Sequence, residues 1–176
     1  MEHSENTRVK IPALVHFTRL GYKYLSLKHE KENIDGDINI FKNIFCESIN
    51  RINGTNYSLK DAEKIINELK ILLDNDDLGK AFYKVLVNGI DGIKLIDFDD
   101  ETNNSYNVVT ELTYKNGEDE FRPDVIPLIN GIPLSFVEVK KPNNREGILA
   151  ERNRINTRFS NPKFKKFANL TQLLVF

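Results

Sequence analysis

The sequence has little of what disulfide-rich, membrane-spanning or secreted proteins need. Its one cysteine, Cys46, can form neither an internal disulfide nor a CxxC zinc site. No apolar run approaches the roughly 20 residues that span a bilayer, and charged residues interrupt the N-terminal segment where a secretory signal would need an apolar stretch. These absences predict a cytoplasmic protein in a reducing compartment, with no membrane partner.

Neither sign of charge dominates the chain. Its 176 residues include 25 Lys and Arg against 26 Asp and Glu, for a net charge of −1. Hydrophobic residues make up 40% and charged residues 29%, which excludes a disordered tail, a collagen and a disulfide scaffold. The length predicts one domain with a substantial core, and the balanced charge excludes a uniformly basic binder of nucleic acid.

Common catalytic motifs are also missing. The chain has no GxxxxGK[ST] loop, and therefore no ATP site of that kind, and no GxGxxG, GxSxG or HExxH pattern. Cys46 lies on an apolar helical stripe and is expected to be a small buried side chain. The acidic run 97–101 lacks the spacing of a calcium loop and is interpreted as a solvated loop.

The hydrophobic pattern predicts helices first and strands afterwards. Helical periodicity covers 7–20, 38–52, 58–72 and 77–87, then strands are expected at 106–114, 121–129 and 133–140, a helix at 145–159 and a strand at 171–176. The last strand–helix–strand unit should pair its strands in parallel. The prediction is an α/β fold, a mixed β-sheet flanked by helices. A mainly helical part, 1–90, would pack on a core, 91–176, in one structural domain of a longer protein.

Charges in the hairpin around Asn130-Gly131 stand out. Asp124 begins one apolar strand, and Glu138 and Lys140 interrupt the next. Charged side chains in buried strands are costly unless they are paired or coordinated. Because side chains alternate along a strand, Glu138 and Lys140 project from the same face.

The register decides whether Asp124 joins them. A two-residue turn pairs 129 with 132 and leaves Asp124 and Glu138 on opposite faces. A three-residue loop, or an equivalent bulge near Pro127 or Pro133, pairs 124 with 138. In that register, two carboxylates and the Val139 carbonyl would suit Mg²⁺, and Lys140 could orient a water or stabilise the transition state of phosphodiester hydrolysis. The alternative is an ion pair on an exposed sheet edge, since ExK alone is a weak signal.

Three pieces of this hairpin resemble the PD-(D/E)XK nuclease motif: Arg122-Pro123-Asp124, the turn Asn-Gly-Ile-Pro-Leu at 130–134, and Glu138-Val-Lys140-Lys-Pro142. In this arrangement the sequence is similar to the N-terminal domain of the restriction (R, or HsdR) subunit of type I restriction-modification enzymes. Segments 20–22, 41–53 and 169–176 also resemble that family, whereas 55–105 contributes little.

The resemblance implies a restriction-endonuclease-like core and a Mg²⁺-dependent endonuclease that cuts double-stranded DNA without intrinsic sequence specificity. Asp124 and Glu138, with the Val139 carbonyl, would bind the metal, and Lys140 would be the catalytic lysine. The family's R subunit continues into ATP-driven motor domains and assembles with methylation and specificity subunits. One departure is that 151–159 lacks the Gln-x-x-x-Tyr element of many relatives, and Glu5 is only a weak candidate for a first-helix acid.

The charge is polarised along the chain. Residues 139–168 hold nine basic and two acidic side chains, and residues 61–101 hold eleven acids and five lysines. The basic segment is expected to contact the DNA backbone and the acidic one to lie away from it. Candidate DNA-binding residues are Lys141, Arg145, Arg152, Arg154 and Arg158. An alternative function is a catalytically inactive nuclease-fold module that docks DNA or another subunit.

Overall fold

The computed structural model describes residues 9–139 and 145–175. The helices are α1 Ile11–Arg19, α2 Leu27–Glu30, α3 Lys42–Asn53, α4 Leu59–Leu73, α5 Lys80–Asn88, α6 Arg145–Phe159 and α7 Lys165–Leu170. The strands are β1 Lys23–Tyr24, β2 Tyr106–Thr110, β3 Tyr114–Asn116, β4 Asp119–Phe121, β5 Val125–Ile129, β6 Ser135–Val137 and β7 Leu173–Val175. Within these ranges, none of the helices has the length and apolar character that crossing a bilayer requires.

A five-stranded mixed sheet, in the order β1-β2-β5-β6-β7, forms the centre of the fold. The pairs β2·β5 and β5·β6 are antiparallel, whereas β1·β2 and β6·β7 are parallel. The parallel pairing of β6 with β7 across α6 confirms the predicted strand–helix–strand unit. This mixed sheet with its helices confirms the predicted α/β class and is consistent with a nuclease-like fold.

Helix boundaries follow the local signals in the sequence. Ser58 and Asp61 form a reciprocal capping box at the start of α4, and Gly54 ends α3 in the left-handed conformation at φ 62°. The expected helix over 38–52 begins only at Lys42. Asn39 has φ 59° and the Asp35 carboxylate accepts hydrogen bonds from the backbone N–H groups of Asp37 and Ile38, so this segment is a turn.

Two expected strands are each divided in the structure. The strand predicted over 106–114 breaks at Glu111, whose φ of 57° turns the chain out of the sheet. The strand predicted over 121–129 breaks at Pro123, which has no backbone N–H to donate to a neighbouring strand. The pieces 114–116 and 119–121 pair with each other as a separate hairpin, β3·β4.

Two apolar clusters cover the sheet. One joins α3, α4 and α5 to Ile132 and Leu134 in the hairpin. The other is rich in aromatic rings, and in it Phe121 packs against Phe136 with ring centroids 5.5 Å apart and against Phe167 at 5.0 Å. These contacts fix the small β3·β4 hairpin onto β6, two residues before Glu138.

The Asn130-Gly131 turn packs closely against the start of α3. Both residues have positive φ, 53° and 77°, as the predicted tight hairpin turn requires. The Phe41 N–H donates a hydrogen bond to the Gly131 carbonyl at 2.9 Å. A Cβ at position 131 would lie 2.7 Å from the Phe41 carbonyl oxygen and 3.0 Å from the Phe45 nitrogen.

We predict that Gly131→Ala costs about 3 kcal/mol or more of unfolding free energy, because it adds a backbone clash to an unfavourable φ. Gly117→Ala is the matched control: its φ is 66°, but a Cβ there meets no atom within 4 Å. That control should cost about 1 to 2 kcal/mol. Urea unfolding of the two variants measures the difference, and equal losses would contradict the close approach of the hairpin to α3.

Candidate active site

The register of β5 against β6 contains one extra residue. At the turn, Ile129 pairs with Ile132, as a two-residue loop requires. At the far end of the hairpin Val125 pairs with Val137. Four residues separate Ile129 from Val125 on the first strand, but five separate Ile132 from Val137 on the second. The segment 133–136 therefore holds a bulge, and this is the register that the proposed site needs.

The shifted register brings Asp124 level with Glu138. Continuing the pairing of Val125 with Val137 by one residue places 124 opposite 138, and side chains at opposite positions of an antiparallel pair lie on one face. The core contacts agree, because Ile126 and Phe136, two residues inward on each strand, belong to the same apolar cluster. This register favours both carboxylates on one face over the alternative in which they lie on opposite faces.

Hydrogen bonds fix the backbone around Glu138 from both sides. The Val139 N–H donates to Asp124 Oδ2 at 3.1 Å, and the Glu138 N–H donates to the Val175 carbonyl at 2.9 Å. Glu138 and Val139 are 6% and 5% exposed, whereas the Asp124 side chain is 28% exposed. A solvent-accessible carboxylate thus lies next to a buried one at the end of two paired strands.

Several predicted site residues lie outside the described ranges. Lys140 and Lys141 fall between 139 and 145, and the side chain of Arg145 is also not described. Glu5, the weak candidate for a first-helix acid, precedes residue 9. The roles assigned to these residues stay predictions from the sequence.

A charged pair beside Asp124 was missed by the sequence analysis. The Lys10 Nζ lies 2.6 Å from Glu111 Oε1 and 3.6 Å from Asp124 Oδ1, and its side chain is 10% exposed. The hydrogen bond from Lys10, helped by its charge and that of Arg122, lowers the pKa of Glu111 from its ordinary value. Lys10 and Asp124 are more than a hundred residues apart, so no spacing pattern could have indicated this contact.

The donor set suits a hard divalent cation. Asp124 and Glu138 supply carboxylate oxygens from neighbouring strands, and Mg²⁺ is commonly held by one or two carboxylates with water completing its shell. In the described part of the chain, no three His, Cys, Asp or Glu side chains are arranged to hold a metal by themselves. The residues present therefore fit Mg²⁺ with two protein carboxylates, and do not form a closed metal cage.

The arginines of α6 have different environments. Arg158 pairs with the buried Glu151 at 3.5 Å, and its guanidinium carbon lies 4.2 Å from the centre of the Phe121 ring. Arg154 also pairs with Glu151 but keeps 59% of its side chain exposed. Arg152 is exposed. Arg152 and Arg154 are thus accessible to a polyanion, whereas Arg158 is held within the fold.

The basic and acidic segments are in contact at one point of the fold. Lys165 lies 3.4 Å from Asp74 and 3.1 Å from Asp76, so the basic segment contacts the acidic one directly. Lys166 pairs with Asp37, and Lys163 pairs with Asp119. Folding places these lysines against acids distant in sequence, which a count along the chain cannot show. The accessible positive charge is consequently smaller than the sequence indicates.

Two of the simpler expectations are confirmed. Cys46 is buried at 9% exposure, and burial raises the pKa of its thiol. The acidic run is a loop organised by Asp97, whose carboxylate accepts hydrogen bonds from the backbone N–H groups of Asp99 and Asp100 and from the Asn103 side chain.

We predict that Arg158→Ala lowers the unfolding free energy by about 1 to 2 kcal/mol, because it removes both the contact with Phe121 and a partner of buried Glu151. Arg152→Ala, on the exposed surface of the same helix, should change it by less than about 0.5 kcal/mol. Chemical denaturation distinguishes the two variants. Equal stability of both would show that Arg158 is not a structural residue.

Comparison with known proteins agrees with the fold. The sequence model of a protein family, the type I restriction enzyme R protein N terminus, matches residues 2–176. A protein of Methanocaldococcus jannaschii named as a type I restriction enzyme MjaIXP endonuclease subunit is 31% identical over 170 residues, covering 81% of this chain and 16% of the relative. A second, named as the MjaVIIIP endonuclease subunit of the same organism, is 30% identical over 116 residues, covering 65% of this chain and 10% of the relative.

The chain thus has an α/β fold of a nuclease-like class. More specifically, it belongs to the family of type I restriction enzyme R protein N-terminal regions. It spans about a sixth or less of the length of these relatives.

Proposed function

We propose that this chain is the Mg²⁺-dependent endonuclease domain of a type I restriction R subunit. It would hydrolyse phosphodiester bonds of double-stranded DNA without reading a base sequence itself. The single observation that carries the proposal is the bulged register of β5 against β6, which brings Asp124 level with Glu138. Family membership supports the same role, since its relatives are named as endonuclease subunits.

Each motif residue has a proposed task. Asp124 and Glu138 hold the cation, and the hydrogen bond from the Val139 N–H orients Asp124 so that its second oxygen, Oδ1, is directed away from that amide. The Val139 carbonyl is the third oxygen donor. Lys140, the next residue along the motif, orients the attacking water or stabilises negative charge at the phosphate. When bound, Mg²⁺ supplies a Lewis acid that polarises a phosphoryl oxygen.

The partners follow from the same proposal. Sequence recognition would come from a specificity subunit, assembled with a methylation subunit, and ATP would be used by motor domains of the R subunit beyond these residues. The chain itself has no P-loop motif. Cleavage would therefore depend on a complex in which DNA is delivered to this domain by translocation.

We expect Asp124→Ala, Glu138→Ala and Lys140→Ala each to reduce DNA cleavage by the assembled complex by about a hundredfold or more, because each removes a cation ligand or a charge at the reacting phosphate. ATP hydrolysis by the same complexes should be unchanged. Matched controls are Glu120→Ala and Lys115→Ala, exposed residues on β4 and β3. Normal cutting by all three motif variants would refute the proposal, and would favour a catalytically inactive docking module.

Contact with DNA is tested separately through its salt dependence. Arg152→Ala should weaken binding of this chain to duplexes of any sequence, and lower the slope of log affinity against log salt by about 1, because one phosphate contact is lost. Lys60→Ala, an exposed residue at the start of α4, is the control and should leave the slope unchanged. An unchanged slope for Arg152→Ala would remove this arginine from the DNA interface.

A further inference from the structure

Lys10 carries a positive charge into the end of the sheet where Asp124 lies. It immediately precedes α1, and its side chain is largely buried. A lysine ammonium in such a position requires carboxylate partners. The partners here are Glu111, at 2.6 Å, and Asp124, at 3.6 Å.

The backbone holds Glu111 in place for this contact. Thr110 is paired with Val125 in the β2·β5 ladder, so the next position places Glu111 beside Asp124. The Glu111 N–H donates to the Asp124 carbonyl at 3.2 Å. Glu111 has a left-handed φ of 57°, which is unfavourable for a residue with a side chain. Glu111, Asp124 and Glu138 therefore lie just beyond the neighbouring ends of β2, β5 and β6, which are adjacent in the sheet.

Lys10 and a bound divalent cation would share one carboxylate. Asp124 Oδ2 accepts the Val139 N–H, so Oδ1 is the oxygen nearer to Lys10. A positive charge at this distance repels a second cation, and the repulsion is strong where water is partly excluded. Glu111 acts in the opposite sense, because it draws the ammonium to itself and away from Asp124.

We propose, building on the function proposed above, that Lys10 and Glu111 are positioning residues that set the affinity of the Asp124 site for its divalent cation. Lys10 competes with the cation for Asp124 Oδ1, and Glu111 limits that competition by holding the ammonium. The pair thus keeps Asp124 charge-compensated and in place until the metal binds. The proposal assigns no direct metal contact to either residue.

The two residues should have effects of opposite sign on metal affinity. Titrating Mn²⁺ calorimetrically into the 176-residue chain, we expect Lys10→Met to tighten binding about tenfold, which corresponds to about 1.4 kcal/mol. Glu111→Gln should weaken binding by a similar factor, because it releases Lys10 to pair fully with Asp124. The double variant should resemble Lys10→Met, since Glu111 acts through Lys10.

Two controls separate this effect from a structural one. Lys10→Arg retains the charge and should bind Mn²⁺ as the parent does. Lys42→Met breaks a pair of the same type, in which Lys42 Nζ lies 3.1 Å from Glu63 Oε1, and should leave Mn²⁺ affinity unchanged. Urea unfolding shows which variants are folded. If Lys10→Met does not fold, Glu111→Gln and Lys10→Arg decide together: tighter or unchanged binding by Glu111→Gln, or binding by Lys10→Arg that differs from the parent's, overturns the inference.

A merely structural pair would weaken Mn²⁺ binding in both single variants, or change it in neither, and either result would overturn the inference. The proposed function fails in a different way. The proposed function fails if neither the parent nor Lys10→Met binds Mn²⁺, or if Mn²⁺ binding persists in Asp124→Ala. In either case the inference fails with it. If Mn²⁺ binding requires Asp124 but its affinity is unchanged in the Lys10 and Glu111 variants, this inference alone is overturned.

Discussion

One extra residue in the chain returning from the Asn130-Gly131 turn sets the register on which the proposed metal site depends. The turn itself enforces a pairing of Ile129 with Ile132, which would place Asp124 and Glu138 on opposite faces. The bulge over 133–136 restores pairing of Val125 with Val137 and brings both acids to one face. Gly131 packs on α3 at one end of the bulge, and Phe136 packs on Phe121 at the other.

Charge compensation is the second constraint on this end of the sheet. Three carboxylates just beyond the ends of adjacent strands would repel one another, and in the described part of the chain Lys10 lies between two of them. The same principle governs α6, where buried Glu151 is paired with Arg154 and Arg158. Arg158 is thereby paired within the fold, so fewer basic side chains are free of an acidic partner in the described part of the chain than the number of basic residues indicates.

Local signals in the sequence predicted much of this fold. The helices predicted over 58–72 and 145–159 agree with α4 and α6, because their bounds are set by neighbouring residues such as the capping box of Ser58 and Asp61. The breaks at Glu111 and Pro123 were missed, because β-branched and aromatic composition outweighed single-residue backbone effects. The motif indicated Asp124 and Glu138 and allowed for their register. Lys10 and Glu111 could not be found, because their contact depends on how α1 packs against the sheet.

The most direct measurement is a crystal structure of this chain grown or soaked with Mn²⁺, with anomalous data that locate the metal. We expect a Mn²⁺ ion between Asp124 and Glu138, within coordination distance of both carboxylates and of the Val139 carbonyl. Asp124 and Glu138 on opposite faces of the sheet, or Mn²⁺ bound elsewhere with this position empty at saturating concentration, would contradict it.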